Sequence, residues 1–215
     1  MSKYEYVNKN EYGPVREELE SIIKKTQKIL KKNAGITFQF ELIGSGSKHL
    51  ITRLKNGNKG FDFDYNLILN CKRKGYRWDA TYARNEVTKA LDQAIKGTKY
   101  DHPNNSAVAI TIKVKDTKHS KIIHSCDFAV VYYPDNETDE HMYSRLNLKT
   151  SECEWKIRNY SKDYHGKLEW LKINIPNYWS EIKDEYLKLK DANNDINKKS
   201  FQLFFETVNN VYNRY

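Results

Sequence analysis

The chain has 215 residues, 39% of them hydrophobic and 30% charged. Those proportions suit one soluble domain, or one domain with a helical extension, and exclude a membrane-spanning helix, for which no apolar run is long enough. A formal net charge of +9 and 16 Tyr point to an anionic partner, such as a nucleotide or nucleic acid, with rings available to stack on bases.

Residues 1–12 are polar with interspersed tyrosines and read as loosely held. Pro14 is expected to open a helix at its favoured first position. Val15, Leu19, Ile22, Ile23, Thr26, Ile29 and Leu30 make a stripe with helical spacing, and Gly35 is the stop. Lys24, Lys25, Lys28, Lys31 and Lys32 lie off that stripe and read as a solvated face, with RNA backbone contact as the alternative. Ile36, Phe38, Phe40 and Leu42 alternate as a half-buried strand does, and a short helix is expected over 47–54. A strand over 61–70 ends in the basic turn Cys71-Lys72-Arg73-Lys74-Gly75. Ala83, Val87, Ala90, Leu91, Ala94 and Ile95 give a helix near 79–96 that Gly97 stops.

Val108, Ile110, Ile112 and Val114 alternate with Ala109, Thr111 and Lys113, and a polar turn at 116–120 leads into a return strand over 121–133. Residues 134–150 read as an acidic loop, and 151–176 give no clear pattern. A helix over 177–190 carries Trp179, Ile182, Tyr186 and Leu189 on one face, and Asn193-Asn194-Asp195 breaks it. A last helix over 198–213 presents Phe201, Phe204, Phe205, Val208 and Val211. The expected division is an α/β core with its N-terminal helix over 1–150 and a C-terminal helical part over 151–215. Cys71, Cys126 and Cys153 form neither a zinc pattern nor a disulfide framework, which favours a reducing cytoplasm. No apolar leader is apparent at the N-terminus.

The chemistry concentrates in 42–67. Leu42-Ile43-Gly44-Ser45-Gly46-Ser47 runs from a greasy strand into a turn of small residues. Gly44 and Gly46 permit positive φ and close approach of a phosphate, while Ser45 and Ser47 offer hydroxyls. Lys48 follows the cradle and reads either as a phosphate contact or as a solvated side chain. In Phe61-Asp62-Phe63-Asp64-Tyr65-Asn66-Leu67, side chains two apart share a face, so Asp62, Asp64 and Asn66 project together, away from the aromatics. Two neighbouring carboxylates repel unless a cation sits between them, and Mg²⁺ suits oxygen ligands shared with substrate phosphates. Asp127 is likewise a charge inside the apolar run Ser125-Cys126-Asp127-Phe128-Ala129-Val130, and calls for a compensating partner. The six histidines show no ligand spacing, and His49 and His124 read as satisfied polar residues.

Gly44-Ser45, the Asp62/Asp64 strand and the later strand Asp127 together resemble the DNA polymerase β-like nucleotidyltransferase superfamily over residues 35–133. Two departures stand beside the resemblance: Gly46-Ser47-Lys48-His49 replaces the pair often found after Gly-Ser, and Asn56–Gly60 reads as an inserted turn. The resemblance implies an α/β (α+β) fold, a small mixed sheet flanked by helices with a C-terminal helical part. It implies a metal-dependent nucleotidyltransferase, with Mg²⁺ or Mn²⁺ held by Asp62, Asp64 and Asp127. Asp127 would bind a second metal or act as base on the acceptor hydroxyl. Gly44, Ser45, Ser47 and Lys48 would hold the nucleotide phosphates. NMP would pass from an NTP to an acceptor, an RNA 3′ end or another nucleotide, and pyrophosphate would leave. The alternative is a non-catalytic nucleotide- or RNA-binding partner protein of a defence or toxin–antitoxin system.

Overall fold

The computed structural model describes residues 2–71, 76–134, 141–157, 163–195 and 198–215. The basic turn at 72–75 and the acidic 135–140 lie outside them. Strand β1 (Tyr4–Tyr6) opens the chain, so residues 1–12 are not the loose segment expected. Helix α1 (Lys9–Ala34) begins five residues before Pro14, because the Asn8 side chain caps it by accepting from the Asn10 N–H. Pro14 therefore sits inside the helix rather than opening it. Gly35 closes it at φ 64°, its N–H reaching Lys31 O.

Strand β2 (Phe38–Ile43) leads into α2 (Gly44–Ser47), a single helical turn starting on the glycine itself. The expected helix over 47–54 is absent. His49 takes positive φ, Leu50 and Ile51 bury, and Thr52–Leu54 forms strand β3, paired antiparallel with β1. The His49 backbone, the burial of Leu50 and Ile51 and the β1–β3 pairing thus outweigh any helical preference of the Ser47–Leu54 side chains. Strand β4 (Phe61–Leu69) and helix α3 (Ala80–Ile95) follow, the latter capped by Asp79. Strands β5 (Asn104–Asn105), β6 (Ile110–Asp116) and β7 (Lys121–Tyr132) come next. Beyond β7 the expected acidic loop gives way in part to a hairpin, β8 (Met142–Leu146) and β9 (Cys153–Ile157). Helices α4 (Asp163–Asn174), α5 (Tyr178–Ala192) and α6 (Ser200–Tyr212) complete the chain.

Seven strands form one mixed sheet, in the order β2-β4-β7-β6-β5, with β8 on the end of β7 and β9 on β8. Among the described residues only β4 and β7 run parallel; the other pairings in this sheet are antiparallel. One face of β4 carries Phe61, Phe63, Tyr65, Leu67 and Leu69, all buried in the main core with the α1 stripe and the apolar side of α3. Arg84 of α3 is fully buried, and its guanidinium donates to Ser144 O, Ser106 O, Ala109 O and Asn105 Oδ1, tying β8 and the β5–β6 segment to α3. A second cluster joins α4, α5 and α6 through Tyr164, Leu171, Ile182, Tyr186, Leu203, Phe204, Val208 and Val211, and takes in Leu50 from just after α2. The three cysteines are free, with Cys126 fully buried. Among the described residues no helix is long and apolar enough to cross a membrane.

Candidate active site

The parallel pairing of β4 with β7 puts Asp64 directly beside Asp127 and Asp62 beside Ser125. Because alternate residues of β4 bury in the core, the aspartates are forced onto the other face of the sheet. The three acids named from the sequence therefore share one surface. Asp127 is half-buried, and Thr111 of β6, its cross-strand partner, donates from Oγ1 to Asp127 Oδ1 at 2.5 Å. Asn66, one row further along β4, is buried with Oδ1 unpartnered.

Gly44 abuts this surface. Its φ is +65°, and a Cβ built on it would lie 2.7 Å from Asp64 Oδ2. Only glycine lets the turn approach the carboxylate this closely. Gly46 differs from the expectation that both glycines serve the cradle. It is buried, and its Cβ would strike Leu42 Cδ1 at 2.9 Å, so its smallness serves packing. Ser45 is half-buried and Ser47 exposed, and the Ser47 hydroxyl donates to Gly44 O within the turn. Lys48 is half-buried, with Nζ 5.2 Å from the centre of the Phe204 ring on α6. Burial pulls its pKa down, against the opposing pull of Glu41.

The inserted turn is built in rather than loose. Ile122 N–H donates to Asn58 O, and a Cβ on Gly60, at φ +52°, would collide with Ile123 O. The turn thus sits against β7 just where β4 begins.

Lys190 of α5 completes the surroundings. It donates to Thr52 Oγ1 at 2.8 Å and lies over the Tyr4 and Tyr186 rings. Loss of hydration lowers its pKa, and Asp62 opposes that shift. Asp62 reaches solvent, yet protein crowds it enough to raise its carboxyl above the usual range; Lys190 opposes the shift and Asp127 adds to it. Tyr186 is pushed up to about 12, first by burial, with Asp62 and Asp64 adding to the shift and Ser200 opposing it. A recess of about 370 Å³ adjoins, lined among others by Tyr4, Lys190, Asn193, Lys198 and Ser200. Sequence reasoning missed Lys190 because a lysine in a C-terminal helix reads as solvated. Its spacing held a clue: Lys190 follows Leu189 and stands one helical turn after Tyr186, on the edge of the buried stripe.

His49 and His124 are both hydrogen-bonded, but His124 is not fully satisfied, contrary to expectation, since its Nδ1 is buried without a partner among the described residues. His49 Nδ1 pairs with the Tyr12 hydroxyl and His124 Nε2 with that of Tyr100, on the core side of β7.

The donors are of the right kind for a hard cation: carboxylates, an unpartnered amide oxygen and a backbone turn that abuts one of the acids. Among the described residues, no group of three or more His, Cys, Asp or Glu side chains is arranged to hold an ion by itself.

This architecture, with a Gly-Ser turn next to a two-aspartate strand and a third aspartate on the neighbouring strand, matches the fold of solved DncV-like nucleotide cyclases. Vibrio cholerae DncV in its GTP-bound form matches with a TM-score of 0.68 at 11% identity, over 97% of this chain and 68% of that one. The STING-associated c-di-GMP synthase CdnE of Capnocytophaga granulosa matches at 0.59 and 16%, over 95% and 61% of the two chains. The CD-NTase CdnG of Bradyrhizobium diazoefficiens, in complex with GTP, matches at 0.51 and 12%, over 75% and 42%. The likeness is one of fold. No family model and no curated protein matches the sequence.

Proposed function

We propose that the protein is a metal-dependent nucleotidyltransferase that moves NMP from an NTP to an acceptor hydroxyl. The observation that carries the reading is the register of β4 on β7, which sets Asp62, Asp64 and Asp127 on one open face beside Gly44. Asp62 and Asp64 would hold Mg²⁺ or Mn²⁺ with the triphosphate, and Asp127 a second ion or the acceptor's proton. When bound, the metal supplies charge stabilisation to the α-phosphoryl group and the departing pyrophosphate. The chain's own groups do the rest. Gly44 gives the leaving phosphates room to lie against the backbone, with Ser45 and Ser47 beside them. Lys190 offers a cation above Asp62, and Lys48 a second one behind the turn. Asp127, oriented by Thr111, takes up the proton as the acceptor oxygen bonds to the α-phosphorus. The α–β phosphoanhydride bond breaks, and pyrophosphate carries off its electron pair.

A second nucleotide is the favoured acceptor over an RNA 3′ end, because the similar folds include a cyclic AMP-GMP synthase and a c-di-GMP synthase. The test is incubation with α-labelled NTPs and Mg²⁺, alone and with RNA, followed by separation of products. Label in a product of nucleotide size supports this acceptor; label on RNA supports the other. NTP binding with no transferred label gives the non-catalytic binding protein instead.

A further inference from the structure

An in-line displacement places the attacking hydroxyl opposite the leaving pyrophosphate. The Gly44 turn and Lys190 mark the leaving side, next to Asp64 and Asp62. The acceptor must then enter across β7 toward β6. On this face β6 presents Thr111 and Lys113. That Thr111 points here is fixed by its bond to Asp127, and Lys113 follows two residues later, before the register shift at Val114/Lys115. Lys113 lies opposite Ser125, which in turn lies beside Asp62, so Lys113, Ser125 and Asp62 form one row across three strands.

Thr111 is already committed to Asp127. Lys113 and Ser125 are both half-buried, and among the described residues neither side chain has a hydrogen bond or ion pair. A half-buried lysine without an ion-pair partner among the described residues, on the entry side of a carboxylate site, matches an anionic group on the incoming molecule.

Resting on the nucleotidyltransferase reading, we propose that Lys113 is the acceptor's phosphate contact, with the Ser125 hydroxyl beside it. The acceptor is accordingly a phosphorylated molecule, a nucleotide, rather than a neutral alcohol. Lys113 acts on acceptor binding and Lys190 on the donor.

Two measurements test this. In the first, a labelled 2′,3′-dideoxynucleoside triphosphate serves as donor only, since it has no ribose hydroxyl to offer. Acceptors are an NTP, the matching nucleoside and a short RNA. Lys113→Gln should raise KM for the NTP acceptor on the order of tenfold to a hundredfold, the range for loss of a hydrogen bond to a charged group, with kcat little changed. Lys113→Arg should recover much of it, and binding of the donor with Mg²⁺ should be the same in both variants. Use of the nucleoside should be poor and indifferent to Lys113. Equal use of nucleoside and nucleotide, or an unchanged KM in Lys113→Gln, would overturn the proposal. Transfer to RNA with the same dependence on Lys113 supports the phosphate contact and reassigns its source.

The second measurement does not require turnover. Lysine acylation is followed by peptide mass spectrometry with millimolar NTP or nucleoside present. Lys113 should be protected several-fold by the NTP alone. Full reactivity of Lys113 in saturating NTP would overturn the proposal even in an inactive protein. Protection of Lys113 without any pyrophosphate release would keep the anion site and remove the transfer reading.

Discussion

Gly44 shows how much one position decides. Its backbone is left-handed, and the space where a Cβ would go is occupied by an Asp64 carboxylate oxygen. Gly44→Ala should therefore displace Asp64 and strain the turn by about 1 kcal/mol or more. The expected outcome is weaker Mg²⁺-dependent NTP binding in calorimetry with a melting temperature lowered by only a few degrees. Gly46→Ala should instead act on packing, with the larger loss in stability. His124 makes a second prediction at this scale. Burial, and then Lys99, push its imidazole down to about 4 from 6.5. The unfolded chain takes up a proton there near pH 6.5, while the folded chain resists until about pH 4. Stability from this group is therefore complete above pH 6.5 and is lost as pH falls toward 4, by up to about 3 kcal/mol. Urea unfolding at pH 7 and pH 4.5 should show a smaller acid loss in His124→Gln than in the parent; parallel losses would contradict the assignment. The three aspartates were legible because a charge in an apolar strand violates β patterning. Lys190 and Thr111 were not, since each gains its meaning only from a partner distant in sequence.

Helix α1 illustrates where element boundaries escape pattern reading. The apolar stripe of Leu19, Ile22, Ile23, Thr26 and Leu30 was readable, and so was the Gly35 stop. The start was not: Asn8 caps the helix from before the proline, and packing of Tyr12 and Leu19 holds the turn around Pro14 in place. A proline at this depth removes one helical hydrogen bond and crowds the preceding turn. Pro14→Ala should accordingly stabilise the protein by about 2 kcal/mol, the penalty of roughly 3 kcal/mol less the entropy proline takes from the unfolded chain. An unchanged or lower midpoint in urea would show that the local backbone has relaxed around the ring. The stretch after Ser47 failed for a different reason. Leu50 and Thr52 are drawn in opposite directions, one into the helical cluster and one into a strand beside β1, and only the tertiary structure decides this. Strands β4 and β7, by contrast, had readable faces, and so did β6 from Ile110 onward; Val108, read with the same stripe, lies before the strand and is exposed while Ala109 buries.

At the scale of the molecule, the sheet supplies the acids and the C-terminal helices cover them from one side. The β1–β3 ribbon couples the two. Tyr6 donates its hydroxyl to Lys183 O, the Tyr4 N–H meets Asp191, and Thr52 receives Lys190. That coupling holds Lys190 within electrostatic reach of Asp62, an arrangement set by partners distant in sequence. On the proposed nucleotidyltransferase reading, Asp127 is the decisive member of the carboxylate group. It stands on a different strand from the Asp62/Asp64 pair, so donor binding can survive its loss while proton removal from the acceptor cannot. The most direct test is the rate of pyrophosphate release from saturating NTP and Mg²⁺ by Asp127→Asn, beside the parent protein. Clear release by the parent and a fall on the order of 10²–10⁴ in the variant, as for loss of a general base, are expected at unchanged NTP affinity. Release by Asp127→Asn at the parent's rate would contradict that role.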